Sequence, residues 1–347
     1  VRRALAVTAL AGAAVLTRRA LRRRIGRSPL WPLPALDTPV SGHSPRRLLR
    51  VRVAARTEPA DGVVLLTLES AGLPPWTPGA HVDLVLPSGL VRQYSLCGDP
   101  AEEGRYTVAV RLVEDGRGGS REAHDRLEAG TWLELRPPRN RFELLPAPSY
   151  AFVAGGIGIT PVLPMLRAAT AAGADWTLLY GGRSRASMPF LAELAAYGDR
   201  VTVVPEDEAG LPDLTPLGAA APGTLVYCCG PEPLMRAVTE AAADPSAVRL
   251  ERFAPAAAAA ARPFTVELGR SGRTVEVGAG ESALTAVRRL LPDTPYSCEQ
   301  GFCGTCQHRV LAGGVEHHDE LLTDGERADS MLLCVSRAAG DRLTLDL

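Results

Sequence analysis

The sequence carries almost no net charge: 38 Lys and Arg against 39 Asp and Glu leave a formal −1. Such a balance gives no global field to draw nucleic acid or an anionic membrane. A spanning hydrophobic stretch is missing from the N-terminal region. The apolar run at residues 4–16 falls short of the roughly 20 residues a transmembrane helix needs. It has the length of a signal core, yet Arg18, Arg19, Arg22, Arg23, Arg24 and Arg27 follow it with no clear small-residue cleavage site. Positive charge after an apolar run opposes export, so residues 1–46 read as a basic and apolar extension with a proline-rich linker. A contact of this extension with a membrane surface is the lesser reading. Cysteine is scarce, with seven in 347 residues. That is not the disulfide framework of a small secreted domain, and it fits a reducing, cytoplasmic compartment.

What is there is abundant glycine and proline, 34 and 29 residues, which signals many turns and a β-rich portion. The length suits two or three domains. Near the end stands Cys298-Glu-Gln-Gly-Phe-Cys303-Gly-Thr-Cys306, with Cys334 further on. Three thiols at C-x₄-C-x₂-C with a distant fourth are plant-type [2Fe–2S] spacing. Each of two irons needs two thiolates besides the bridging sulfides. Gly301 and Gly304 let the loop curl and aim its N–H groups at sulfur. Zinc at these four cysteines, in a non-enzymatic scaffold, is the rival. However, zinc ribbons show two short-spaced pairs, and Cys298 falls outside that pattern. His308, His317 and His318 are read as surface residues, because four cysteines already complete a ligand set.

Residues 47–147 contain six short runs of strand type: Leu48–Ala55, Val63–Leu68, His81–Leu86, Val91–Leu96, Tyr106–Val113 and Trp132–Arg136. They predict a closed antiparallel barrel. Arg92-Gln-Tyr94-Ser95 sets a guanidinium, an aromatic ring and a hydroxyl on one strand. A guanidinium suits phosphate, a ring suits stacking on a flavin, and a hydroxyl can meet a ring nitrogen. Gly116-Arg-Gly118-Gly119-Ser120 then opens a helical stretch, an anion site in waiting. Taken alone, the first string is more often an ordinary exposed strand and the second is usually a plain turn.

In residues 148–254 strands and helices alternate, which predicts a parallel sheet with ligand at the C-terminal strand ends. Gly155-Gly156-Ile-Gly158-Ile-Thr160-Pro161 joins a strand to a helix expected to begin at Pro161. Its glycines would let a pyrophosphate approach, although Thr160-Pro161 replaces the last glycine of the Rossmann fingerprint. Arg183 and Arg185 follow the second strand, where an arginine can accept a 2′-phosphate, so NADPH stays open. Cys229-Gly230-Pro231 ends a later strand, and on its own reads as a turn with a buried thiol. Residues 255–263 are an alanine-rich linker, and residues 264–347 hold a hairpin, a helix at Ala283–Leu291, the cluster loop and a last strand.

Arg-x-Tyr-Ser-Leu, then Gly-x-Gly-Gly-Ser, then Gly-Gly-Ile-Gly-Ile-Thr-Pro and Cys-Gly-Pro, then the four cysteines, resemble in content and order the phthalate dioxygenase reductase / vanillate demethylase reductase family. The resemblance covers residues 47–347. It implies an antiparallel flavin-binding β-barrel, a parallel α/β nucleotide domain and a β-grasp-like ferredoxin domain. It implies FMN held by Arg92, Tyr94 and Ser95 at ring and tail, and by Gly118, Gly119 and Ser120 at the phosphate. It further sets Cys229 beside the nicotinamide, Thr160 near the ribose–pyrophosphate and Phe253 near the flavin. Ser95 and Cys229 would serve hydride transfer. The family favours NADH. The implied activity is an NADH-dependent oxidoreductase that passes electrons through FMN and [2Fe–2S] to a terminal oxygenase. A cytochrome P450 acceptor or a free-standing diaphorase are the alternatives.

Overall fold

The computed structural model describes residues 48–114, 116, 118–253, 262–296, 298–319 and 321–347. The basic extension and most of the alanine linker lie outside the described residues. Residues 47–347 form one compact unit. Among the described residues, no helix is long and apolar enough to cross a membrane.

Alternation along the first strands decides their faces. In Arg105–Arg111, Tyr106, Val108 and Val110 point inward and are buried. Strands β1 (Leu49–Ala60), β2 (Val63–Glu69), β3 (Ala80–Val85), β4 (Val91–Ser95), β5 (Arg105–Arg111) and β6 (Trp132–Asn140) pair antiparallel in the order β4-β3-β6-β1-β2-β5. A bridge between Leu96, just past β4, and Val108 of β5 joins the two edges, so the sheet closes as a barrel. Helix α1 (Gly119–Arg126) packs Ala123, with Leu127 just beyond it, into that core. Strand β6 runs further than the sequence suggests and carries Pro137 and Pro138. Its pairing with β3 slips by one residue there, from His81↔Arg139 to Asp83↔Arg136. The prolines sit at a β-bulge, where a missing N–H does least harm.

The second sheet is all parallel: β7 (Ser149–Gly155), β8 (Asp175–Gly182), β9 (Val201–Pro205), β10 (Leu225–Cys229) and β11 (Val248–Glu251), in the order β11-β10-β7-β8-β9. The order reverses between β7 and β10, and the crevice beyond their carboxyl ends is where such a sheet takes ligand. Both flanking helices are apolar on the sheet side: α2 (Ile159–Ala171) and α3 (Glu232–Ala241). Helix α2 begins at Ile159, two residues before the expected Pro161, after a single 3₁₀ turn at Gly156–Gly158. Pro161 still falls in the first turn, whose N–H groups have no partner within the helix. The helix expected at 190–197 breaks into a one-turn helix, Leu191–Leu194, and a 3₁₀ stretch, Ala195–Arg200.

The third sheet combines β12 (Phe264–Leu268), β13 (Arg273–Val277), β14 (Gln307–Ala312), β16 (Ser330–Leu332) and β18 (Arg342–Leu345), in the order β13-β12-β18-β14-β16. Strand β15 (Val315–Glu316) pairs with β17 (Arg337–Ala338) alone. Strands β12 and β18 run parallel and their other pairings are antiparallel, a β-grasp arrangement. Helix α4 (Ala283–Leu290) starts at Ser282, whose hydroxyl accepts the Thr285 N–H. It lays Ala283, Leu284, Ala286 and Val287 on the sheet. Two of the three histidines are not surface residues. His308 and His317 are half-buried against the Cys306 carbonyl (3.3 Å) and Asp319 (3.3 Å), and only His318 is exposed. A backbone or carboxylate partner offsets the burial of each ring.

Leu343 is fully buried on β18, the central strand of the third sheet. Leu343→Ala should destabilise that sheet by about 2–5 kcal/mol. The check is amide hydrogen exchange of β12 and β18, which should lose protection while the β7–β10 amides keep theirs.

Candidate functional site

Two cavities and one cysteine loop meet at a single edge of the molecule. The first cavity, about 530 Å³, lies between the barrel and the start of α2. Its wall includes Arg92, Gln93, Tyr94 and Ser95 of β4, Gly119 and Ser120 of α1, and Thr160. Gly118 caps α1 in the left-handed region (φ 78°), a conformation that favours glycine. A Cβ on Gly119 would lie 2.3 Å from Arg92 Nε, so only glycine lets the guanidinium lie across the helix start. The Ser120 hydroxyl accepts the Val113 N–H (3.0 Å) and ties off the loop between them. Volume, cation, helix N-terminus and a half-buried ring, Tyr94, together suit a phosphate-bearing aromatic cofactor. Thr160 faces this cavity and not the nucleotide crevice. Its hydroxyl donates to the Ile157 carbonyl (2.9 Å), which fixes the turn before α2.

The second cavity, about 590 Å³, occupies the crevice at the switch point. Gly155, Gly156 and Gly158 line one side, Gly230 and Pro231 the other, and Arg183, Glu206 and Leu211 the far end. Gly158 is required by close approach of protein backbone: a Cβ there would meet the Cys229 carbonyl oxygen at 2.2 Å. Arg185, expected beside Arg183, is turned away into an exposed bidentate pair with Glu208 (3.1 and 2.8 Å) and lines neither cavity. Desolvation, and then the neighbouring Arg183, pull the Arg111 pKa down, so two cations stand close on this crevice.

Cys229 is buried in the apolar core at the end of β10, and the cavity walls do not include its thiol. Burial, and then the nearby Glu251, push that thiol well above its usual pKa, so it stays neutral. Cys229 pairs in register with Glu251, and the Ser95 hydroxyl donates to Glu251 Oε2 (3.4 Å). Glu251 therefore joins the two expected residues, and nothing in its sequence surroundings marked it. Arg111, Ile157 and Phe253 line both cavities. Phe253 is 42 % exposed, unlike a core phenylalanine.

The cysteine loop closes the third side. Gln300 lines the first cavity and its side chain donates to the Phe253 carbonyl (2.6 Å). All four cysteines are buried. Cys298 hydrogen-bonds Cys303 and Cys334, and Cys306 hydrogen-bonds Cys334. These contacts pull the Cys298 and Cys306 thiols below their usual pKa and push Cys303 and Cys334 above it, because neighbouring thiols share protons. Among the described residues, no three His, Cys, Asp or Glu side chains gather as ligands of one ion. The contacts instead link Cys303, Cys298, Cys334 and Cys306 into one group of four thiols, the number a binuclear cluster takes. The Gln300 N–H donates to Cys298 Sγ (3.3 Å) and the Thr305 N–H to Cys303 Sγ (3.5 Å). Gly301 and Gly304 have φ of 81° and 76°, which the curl of the loop demands. The residues present therefore fit a [2Fe–2S] cluster.

Two family models match: a 2Fe-2S iron-sulfur cluster binding domain over residues 266–339 and an oxidoreductase NAD-binding domain over residues 152–240. Phenoxybenzoate dioxygenase subunit beta of Ectopseudomonas oleovorans is 44% identical over 309 residues, 86% of this chain and 97% of that one. A solved phthalate dioxygenase reductase, titled a modular structure for electron transfer from pyridine nucleotides to [2Fe–2S], is 35% identical. It has a TM-score of 0.65, with 87% of this chain and 98% of that one covered. An intact type IV self-sufficient cytochrome P450 monooxygenase is 43% identical, with a TM-score of 0.67 over 86% of this chain and 41% of that one.

Gly158→Ala should cost about 1–3 kcal/mol, because backbone and not a flexible side chain blocks the new methyl. Thermal unfolding should show the loss. An unchanged midpoint would mean that α2 and the β10 end are not in this close contact.

Proposed function

This chain belongs to the phthalate dioxygenase reductase family, and from that premise we propose that it carries electrons from NADH through FMN and a [2Fe–2S] cluster to a terminal oxygenase. Bound FMN would supply the chemistry that links a hydride, an electron pair, to one-electron transfer. The observation that carries the reading is the shared edge: Phe253 lines both cavities, and Gln300 of the cysteine loop hydrogen-bonds its carbonyl while lining the first. Each sheet has an apolar core of its own, which supports domains at 47–147, 148–254 and 264–347.

In this reading Arg92 and the α1 N-terminus hold the FMN phosphate, and Tyr94 covers the ring. Ser95, held by Glu251, offers its hydroxyl to the ring where hydride arrives. Gly156, Gly158 and Gly230 let the dinucleotide lie along the crevice. Arg183 and Arg111 face its phosphates, and the neutral Cys229 thiol backs the nicotinamide pocket without charge. Arg185, paired with Glu208, is held away from the crevice, which supports NADH over NADPH. Cys298, Cys303, Cys306 and Cys334 hold the cluster. Seven free thiols suit a reducing compartment, which supports a cytoplasmic location. A cytochrome P450 acceptor is the second reading, favoured by the 43% identity to the self-sufficient monooxygenase.

Cys303→Ser should remove the cluster and abolish reduction of an oxygenase partner while NADH-dependent dye reduction continues. If partner reduction survives loss of the cluster, the electron path is wrong. Ser95→Ala should retain FMN but slow single-turnover flavin reduction by NADH about five- to tenfold, the worth of one hydrogen bond of roughly 1 kcal/mol. An unchanged stopped-flow trace would remove Ser95 from the hydride step.

A further inference from the structure

Arg136 and Arg139 are three residues apart on β6, so a regular strand would send them to opposite faces. The bulge at Pro137 and Pro138 shifts the register by one and brings both to Asp83 on β3. Asp83 is fully buried and its carboxylate accepts from Arg139 Nη2 (2.6 and 2.7 Å) and Arg136 Nη1 (3.4 Å). Two guanidinium groups around one carboxylate leave a net positive charge. Arg136 turns that charge outward: its Nη1 also donates to the carbonyl of Cys303, at 2.6 Å. Around this contact Val85 and Val91 of the barrel pack on Cys298, Phe302 and Cys303, so the guanidinium, 20% exposed, is largely shielded from water. A charge in such apolar surroundings acts more strongly than one in water.

We propose that Arg136, oriented by Asp83 across the Pro137-Pro138 bulge, is a positioning residue that raises the reduction potential of the cluster through the backbone of its ligand Cys303. The proposal rests on the four cysteines holding a [2Fe–2S] cluster. Reduction brings one electron, and with it one negative charge, to the thiolate cage. No proton need accompany it, so the compensating positive charge has to be in place beforehand. The Asp83–Arg136–Arg139 group supplies it from the barrel, so the cluster becomes the better acceptor when its loop is seated there. This ties the downhill direction of electron flow to the contact between barrel and cysteine loop.

The test is a dithionite titration of the reconstituted holoprotein with redox mediators, the cluster signal being followed by low-temperature EPR. NADH takes no part. Arg136→Gln can still donate to the Cys303 carbonyl but has no charge, and should shift the reduction equilibrium toward the oxidised cluster about tenfold, which is about 59 mV for one electron. Arg136→Lys should stay near wild type. Asp83→Asn removes the anion and should shift the equilibrium the other way. Opposite shifts in Arg136→Gln and Asp83→Asn support the proposal, because a loosened loop would move both variants in one direction. Shifts of the same sign, or an unmoved potential in Arg136→Gln with an intact cluster spectrum, overturn it. If Arg136→Gln does not retain its cluster, Arg136→Lys and Asp83→Asn decide. A lysine variant near wild type with the asparagine variant above it supports the proposal, and an asparagine variant at or below wild type overturns it. A wild-type protein with no [2Fe–2S] cluster overturns the underlying reading and this proposal with it, whereas a normal cluster with unmoved potentials overturns the proposal alone.

Discussion

The seating of one loop on the barrel governs what this molecule can do. Residues 298–306 are held by the Gln300 contact to Phe253, by Arg136 on the Cys303 carbonyl, and by Val85 and Val91 packed on Cys298, Phe302 and Cys303. Nicotinamide gives electrons in pairs and an iron–sulfur cluster takes them singly, so a flavin has to stand between them. That requirement is geometric before it is chemical. The first cavity, bordered by Ile157 and Phe253 on the side of the second cavity and by Gln300 on the cysteine side, has the position such a flavin would need within one compact unit.

Close approach of backbone is the second constraint. Arg92 can lie over the start of α1 only because residue 119 has no Cβ, and α2 can abut the end of β10 only because residue 158 has none. The two glycines act in different ways. Gly119 makes room for a side chain that lines the first cavity, whereas Gly158 makes room for the backbone at the end of β10. Glycine-rich turns at a nucleotide crevice are readily credited to the ligand. In this chain the third glycine of the turn is fixed by protein packing.

The cysteine spacing, the barrel strands and the order of the three sheets could be read in the sequence, because each rests on local periodicity or on a motif with few other uses. The strand reading stopped at Arg136, since two prolines argue against a continuing strand. The bulge that accommodates them needs a partner strand that sequence alone does not supply. Arg183 and Arg185 looked equivalent, and only the distant Glu208 separates them. Glu251 and Arg111 carried no motif, and Gln300 stood inside the cysteine motif without a role of its own. Their places come from tertiary neighbours: Glu251 from its register with Cys229, Gln300 from its bond to Phe253. Thr160 was read toward the dinucleotide because it follows the glycines, yet after the turn at Gly156–Gly158 it lines the first cavity and not the second.

The most direct measurement is anaerobic reduction of the reconstituted protein by NADH, followed by optical absorbance and low-temperature EPR. The account predicts bleaching of the flavin together with the signal of a reduced [2Fe–2S] cluster. Flavin bleaching with no cluster signal would contradict it, because the seated loop would then not lie on the electron path.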